Sequence, residues 1–551
     1  MSMIAASFVA GLVLIFSVAN LGFAIVTVFE RIAQRRIQPP LRAPFAAAAG
    51  VCALALLGVC LIASATGFVA AVVLATVNAV SLAYSVVKRR FDRADVQFLT
   101  VWLVCAAAAL AIGSLAVKFP DPLFDGPFVY KQKADFVRVQ VLAGNAPADN
   151  VLPLFATEYL IRGVSFSEEH PIAPGQELSN RPILMALAVL PIRLALGESS
   201  PTPTPLPRLH YVGVSWPDAS SLVTDFNFRV FLGAATSLNA LVSAAFLTLL
   251  LLFGARRPVL TAILVSVSSA YIMQQDFFTW PKSLAAFFVI MAWVALLRVG
   301  SAILAGLLLA AAYWAHPFAL AFGIAMMAFV FLEARMERPR AFILDDAGDR
   351  PEAAAIERRA RWMQTIQIGA LLSAAVVIWK VWSEGILGLQ GDLISQNLRS
   401  GAPLLQIIWF RLSNLWTLLV PQNFFAPHPD AAALVGHWLI TLANPMGLIF
   451  WFLFVVGYLT FPPAARKFLA YAALVPGTLL VLPFSNVAVP LLHGWQAAWP
   501  VLLASTVAVM QRRVSPWIFN ALVLVQSAIG VLLFALQLKN VGALSIWGVA
   551  P

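Results

Sequence analysis

Two aspartates, Asp121 and Asp125, stand close behind a long apolar run, in the segment KFPDPLFDGPFVYKQKADFVRVQVLAGNAP. A carboxylate at a membrane surface is partly desolvated, which raises its pKa and suits it to accepting a proton. An Asp before Pro or Gly also fits ordinary turn chemistry. Farther along, QQDFFTWPK (274–282) places Asp276 and Lys282 between two apolar runs, among Phe277, Phe278 and Trp280. Lys282 can bind a phosphate as a point charge or snorkel from an aromatic belt. The late segment LLHGWQAAWP (491–500) sets His493 and Trp495 at a helix start, where a histidine can hydrogen-bond a lipid phosphate. Arg181 opens SNRPILMALAVLPIRLALG (179–197). Its apolar part, 182–196, is too short to span a bilayer and is expected to lie along the interface. Glu158 and the Glu168–Glu169–His170 run are further candidates, set against a solvated loop. His316, in YWAHPF, is the least marked.

The elements that must position these residues are membrane helices. The 551 residues are 61% hydrophobic and 11% charged, with mean hydropathy +0.87; soluble domains carry roughly 25% charged residues. Apolar runs near 4–28, 44–64, 67–87, 97–117, 228–253, 259–275, 281–298, 301–316, 317–334, 366–383, 442–461, 467–485, 495–511 and 516–538 are each read as a span,. The expected fold is an all-α polytopic membrane protein of about 12–14 transmembrane helices, with a large outer loop bearing interfacial helices. The first run has no basic segment before it and reads as a retained span, not a cleaved signal.

The formal charge of +11 is explained by orientation, not by nucleic acid. The clusters at Arg31–Arg42, Lys88–Arg93, Arg256–Arg257, Arg298, Arg335–Arg361, Arg466–Lys467 and Arg512–Arg513 hold 22 of the 36 Lys and Arg residues. Their side is cytoplasmic by the positive-inside rule, so both termini face outward. All six histidines and 15 of the 25 acidic residues then fall on or near the outer side, which is where chemistry is expected. The chain divides into a three-span N-terminal region (1–96), a core (97–335) with an outer loop at 118–227, a charged cytoplasmic linker (336–365), and a C-terminal membrane region (366–551) with an outer segment at 384–441. Pro- and Gly-rich turns punctuate the outer loop at 171–175 and 201–207,. Cys52, Cys60 and Cys105 sit inside apolar runs and read as small core residues,. No P-loop, GxGxxG, HExxH, zinc spacing or GxSxG elbow occurs,.

These signals fall in one order, and that order resembles the GT-C superfamily of membrane glycosyltransferases, of the protein mannosyltransferase and aminoarabinose transferase type. The resemblance runs from Asp121, Asp125, Tyr130, Ala134, Gly144 and Pro147 through Arg181, Pro182 and Gly197. It continues through Phe228–Arg229, then Asp276–Lys282, then 305–317, to His493, Trp495 and Pro500. It covers 97–335 well and 366–538 loosely. The first three spans have no counterpart in the core pattern, and the usual Asp-Glu pair is missing. The resemblance implies a polyprenyl-phosphate sugar donor, an acceptor hydroxyl on a glycan, lipid or protein, and inverting transfer on the periplasmic face of a bacterial inner membrane. It makes Asp125 or Asp121 the base, with Asp125 favoured because Gly126 allows close approach. Lys282, Arg181 and His493 would hold the departing phosphate, with Asp276 and Trp495 beside them. No ligand cluster demands a metal, although a divalent ion is compatible. A lipid-linked glycan transporter or flippase, an oligosaccharide polymerase or ligase, and a non-enzymatic scaffold are the competing expectations.

Overall fold

The computed structural model describes residues 3–34, 36–62, 66–88, 92–116, 152–163, 182–198, 208–211, 214–217, 224–277, 279–335, 351–386, 405 and 495–540. Within them the helices are α1 (Met3–Ile32), α2 (Arg42–Cys60), α3 (Gly67–Lys88), α4 (Arg93–Ala116), α5 (Leu152–Arg162) and α6 (Leu184–Leu196). After a hairpin come α7 (Asp225–Asn239), α8 (Leu241–Leu252), α9 (Pro258–Ser268), α10 (Ala270–Phe277) and α11 (Lys282–Val294). The last are α12 (Ala302–Ala315), α13 (Ala319–Arg335), α14 (Pro351–Lys380), α15 (Trp495–Arg513) and α16 (Pro516–Asn540). α11 and α14 each end in a π-helical turn, Ala295–Val299 and Val381–Ile386.

Seven of these stretches are long and apolar enough to cross a membrane, among them α1 to α4, Phe226–Leu252 of α7–α8, Lys282–Val299 and Arg361–Gly385. Six shorter apolar helices accompany them. The chain is therefore a helical, membrane-type protein. The runs expected at 442–461 and 467–485, and most of the outer segment 384–441, lie outside the described residues. One expectation is corrected. The run at 259–275 is two helices, because Ser269 turns extended between α9 and α10. Within the charged stretch 336–365 the chain is helical from Pro351, where Pro starts a run of Ala, Glu and Arg, all strong helix formers,. Beside the helices, Arg208–Tyr211 and Val214–Pro217 form a short antiparallel hairpin, β1–β2, with Arg208 opposite Pro217.

Between apolar helices, lipid supplies no hydrophobic drive, so close backbone approach carries the packing. A Cβ on Gly22 would lie 1.7 Å from the Ala46 carbonyl oxygen, and one on Gly50 2.0 Å from that of Val18. These paired contacts lock α1 antiparallel to α2. Nearer its start, along the same face, α1 runs parallel to α7, with Gly233 pressed on the Ser7 carbonyl. Asn78 of α3 donates to Ser17 Oγ at 2.9 Å and accepts from Asn20, tying α3 to the same helix. The Trp102 indole donates to the Ser237 carbonyl at 2.7 Å and fixes α4 to α7.

Helix directions sort the termini into two ends. One is basic. There Arg42 opens α2, 3.3 Å from Glu30 at the end of α1 and 3.6 Å from Asp95 at the start of α4. Asp92 and Asp95 cap α4 reciprocally, each side chain accepting from the other's backbone N–H,. The Arg256 backbone N–H donates to Gln511 of α15 at this end, and α11 reaches it at Arg298. The opposite end carries α5, α6, the starts of α7, α11 and α15, and the α12–α13 turn.

Candidate functional site

α6 forms one wall of that opposite end. It is not a helix with one face in lipid. Residues 184–194 are all buried, packed among α2, α3, α5 and α7. Apolar side chains surround the helix on every side, and its one charge, Arg193, is turned into protein. Arg193 is 1% exposed and grips Glu158 of α5, which is 0% exposed, through Nε–Oε1 at 2.7 Å and Nη2–Oε2 at 3.2 Å. A third donor, Nη1, reaches the Glu198 carbonyl at 3.1 Å. A Cβ at position 197 would lie 2.2 Å from that Nη1, so only glycine leaves room for the guanidinium. The Glu198 N–H donates to Asn227 Oδ1, and its carboxylate accepts from the Thr224 hydroxyl, which also caps α7. Glu158, a candidate acid in the sequence, is thereby committed to a bidentate ion pair that fastens α5 to α6. Arg193 was not singled out in the sequence. Its signal was a lone charge inside an apolar helix, which requires a partner.

The connection from α10 to α11 forms the next wall, and a single amide organises it. Asn239, the last residue of α7, donates from Nδ2 toward the carbonyls of Gln275 (3.5 Å), Asp276 (3.3 Å) and Trp280 (3.1 Å). Its Oδ1 accepts from the Leu284 N–H at 3.3 Å. The Ser283 hydroxyl adds a bond to the Gln275 carbonyl. Held this way, the connection places Lys282 at the first position of α11, fully buried, with Nζ 3.2 Å from the centroid of the Trp280 ring. The snorkelling lysine expected at the rim is thus a buried cation on an aromatic face. A desolvated cation–π contact of this kind stabilises by ~2 kcal/mol.

His316, the least marked candidate, takes a central place. It ends α12, is buried, and faces Trp280 edge-on with ring centroids 6.0 Å apart. Its Nδ1 accepts from the Phe318 N–H at 3.2 Å, so a neutral ring carries its proton on Nε2,. Trp280 and His316 line a small cleft, partly open to the outside. Its other walls come from the α5 segment (Leu152, Pro153, Ala156), the α6 start (Pro182, Ile183, Met185, Ala186) and Pro281, Ala315 and Pro317. Its lining is mostly apolar, with His316 among the residues that form it.

Asp276 is one residue from the end of α10 and fully buried. Neither carboxyl oxygen has a hydrogen-bond partner among the described residues. Burial pushes its pKa well above the usual carboxylate range, which favours the neutral acid,. A group in that state does not attract or repel a phosphate as an ion. Trp495 begins α15. The next residue, Gln496, donates to Gln275 Oε1 at 2.8 Å, which brings the start of the C-terminal helix against the α10–α11 connection.

Asp121, Asp125, His170, Arg181 and His493 lie outside the described residues. In the chain, Arg181 directly precedes the pocket-lining Pro182, and His493 stands two residues before α15. Among the described residues no three His, Cys, Asp or Glu side chains gather as a metal site. Compared with known proteins, the chain matches no family model, no curated protein and no solved structure.

Proposed function

We propose that this end of the bundle is the active site of an integral membrane glycosyltransferase of GT-C type. The observation that carries the reading is the buried Lys282 on Trp280, beside a largely apolar pocket that also takes in His316. A polyprenyl-phosphate sugar needs such a combination: an apolar surface beside a fixed cation for the phosphate. The donor enters from the bilayer, and the acceptor hydroxyl attacks the anomeric carbon from the face opposite the phosphate. Asp125 or Asp121 takes the hydroxyl proton as the new C–O bond forms. The C1–O bond to phosphate breaks, and polyprenyl phosphate leaves with the electron pair. Lys282, with Arg181 and His493 contributed by adjoining segments, stabilises the charge that develops on it. The reaction face is the periplasmic side of an inner membrane, because the basic end carries the arginines.

A transporter for the same lipid-linked glycan would use ionisable groups deep within its spans. In the seven candidate spans such residues stay in or near the end turns, as with Glu30, Arg42, Asp95, Arg229 and Lys282, which favours the transferase.

The test is sugar transfer by the full chain in membranes, from a panel of radiolabelled polyprenyl-phosphate hexoses and pentoses to endogenous acceptors. Lys282→Met is expected to lower transfer at least about 100-fold, as for loss of one charge-stabilising donor. At least one of Asp125→Asn and Asp121→Asn should abolish it. No transfer from any donor, together with no binding of polyprenyl phosphate, refutes the reading.

A further inference from the structure

Charged and aromatic residues stand at both ends of the membrane stretch of α14, and apolar side chains face outward between them. Arg361 and Trp362 mark the basic end, where the Trp362 ring meets Phe331 of α13 edge-on at 4.9 Å. Lys380, Trp382 and Glu384 mark the other end, and Lys380 pairs with Glu384 at 3.5 Å, both about half exposed. Between the two levels Ile366, Val377 and Ile378 are each more than half exposed, as is Val381 beside Trp382. An outward row of this kind marks a surface made for an apolar partner. Trp382 lies twenty residues past Trp362. That is about 30 Å along the helix axis, the thickness of the hydrocarbon core of a bilayer.

Three indoles gather at the far end. Trp314, near the end of α12, stacks on Trp382 at 5.6 Å and 23°, and meets Trp379 at 5.9 Å and 73°. Trp379 meets Trp382 at 6.0 Å. The Trp314 indole N–H donates to the Ala375 carbonyl at 3.1 Å, which ties α12 to α14. Trp379 is buried, whereas Trp314 and Trp382 each keep part of their surface exposed. Tryptophan prefers the layer where hydrocarbon meets headgroups, because its ring is apolar and its N–H is polar. The cleft lies at that level. His316 follows two residues after Trp314 and faces Trp280, whose ring carries Lys282. α11 gives a second ruler. Lys282 opens it, and Arg298, exposed at the basic end, comes sixteen residues later. That separation is about 24 Å, which sets Lys282 just inside the far boundary that α14 marks.

We propose that the Trp314–Trp379–Trp382 cluster anchors the protein in the headgroup layer opposite the basic end, and that it holds the Lys282 cleft at the depth of the lipid phosphates there. The partner of this surface is the phospholipid leaflet itself. A phosphate at its ordinary depth in that leaflet is level with Lys282, so a lipid ligand reaches the cleft without being lifted out of the membrane. The proposal concerns depth, not catalysis, and stands whether or not the chain transfers sugar.

The experiment uses the full chain with Cys52, Cys60 and Cys105 replaced by alanine, reconstituted in phosphatidylcholine–phosphatidylglycerol vesicles. One new cysteine at a time is spin-labelled at an exposed position: Arg298→Cys, Met363→Cys, Ser373→Cys or Val381→Cys. Relative accessibility to oxygen and to a water-soluble nickel chelate reads the depth of each label. The Ser373 label should read deepest, near the bilayer centre. The Arg298 and Met363 labels should read shallow on one side and the Val381 label shallow on the other. Replacing Trp314 and Trp382 together by leucine should move the Val381 label deeper by several ångströms. Should that variant fail to fold, Trp382→Leu alone carries the comparison. A Val381 label as deep as that at Ser373, a face closed to oxygen because protein covers it, or a Val381 depth unchanged by the tryptophan replacements overturns the proposal.

Discussion

Replacing Arg193 with methionine isolates the contribution of one buried pair. The substitution keeps the length and apolar stem of the side chain but removes three donated bonds: 2.7 and 3.2 Å to Glu158 and 3.1 Å to the Glu198 carbonyl. Glu158, 0% exposed, loses its bidentate partner and must rely on the neighbouring charge of Arg162 or take up a proton. Breaking one side of such a pair costs about 3–5 kcal/mol. Removing both charges is far gentler, because apolar replacement of a complete pair is often neutral. The double variant Glu158→Gln/Arg193→Met should therefore recover most of the loss. Each protein is unfolded in a graded mixture of mild and denaturing detergent and followed by tryptophan fluorescence. A single-variant loss of only about 0.5 kcal/mol, the size typical of an exposed substitution, refutes the argument. So does a double variant less stable than Arg193→Met alone.

Asp276→Asn should change how stability depends on pH. The folded pKa is raised and the unfolded one is ordinary, so the native state holds the proton longer. Wild type then loses about 1.4 kcal/mol per pH unit as pH climbs from roughly 4 toward the folded value, and is level beyond it. In choline buffer, midpoints scanned from pH 4 to 8 should fall in wild type and stay flatter in the variant; parallel curves count against a buried, unpaired acid. Asn239→Ala strips the clasp on the α10–α11 connection and leaves the Leu284 N–H without its acceptor. About 1–3 kcal/mol of destabilisation is expected, with faster amide exchange confined to residues 279–285. Unchanged exchange there would show that the clasp does not hold the connection.

Hydropathy made the helical, membrane-type architecture readable, because spans must bury backbone polar groups in helices whatever their tertiary partners. Pairings between distant segments were not readable. Glu158 and Arg193 are 35 residues apart, and neither carries a local mark of the other. Lys282 looked like a rim residue because hydropathy scores its charge but not the Trp280 face that receives it. His316 looked weak because an isolated His-Pro has no signature, and its importance comes from facing Trp280 across a turn. The break at Ser269 hid inside an apolar run with no Gly or Pro to punctuate it.

The knuckle between α1 and α7 bears on how the chain is made. Ser7 leaves the ribosome long before Gly233, yet the two backbones end in direct contact. Until that later helix arrives, the flank of the first one stands open to lipid or to an insertion factor, and any arrested nascent chain halting short of α7 exposes it. Quality control in the membrane would then be expected to sense incomplete synthesis at α1, not at the growing tip.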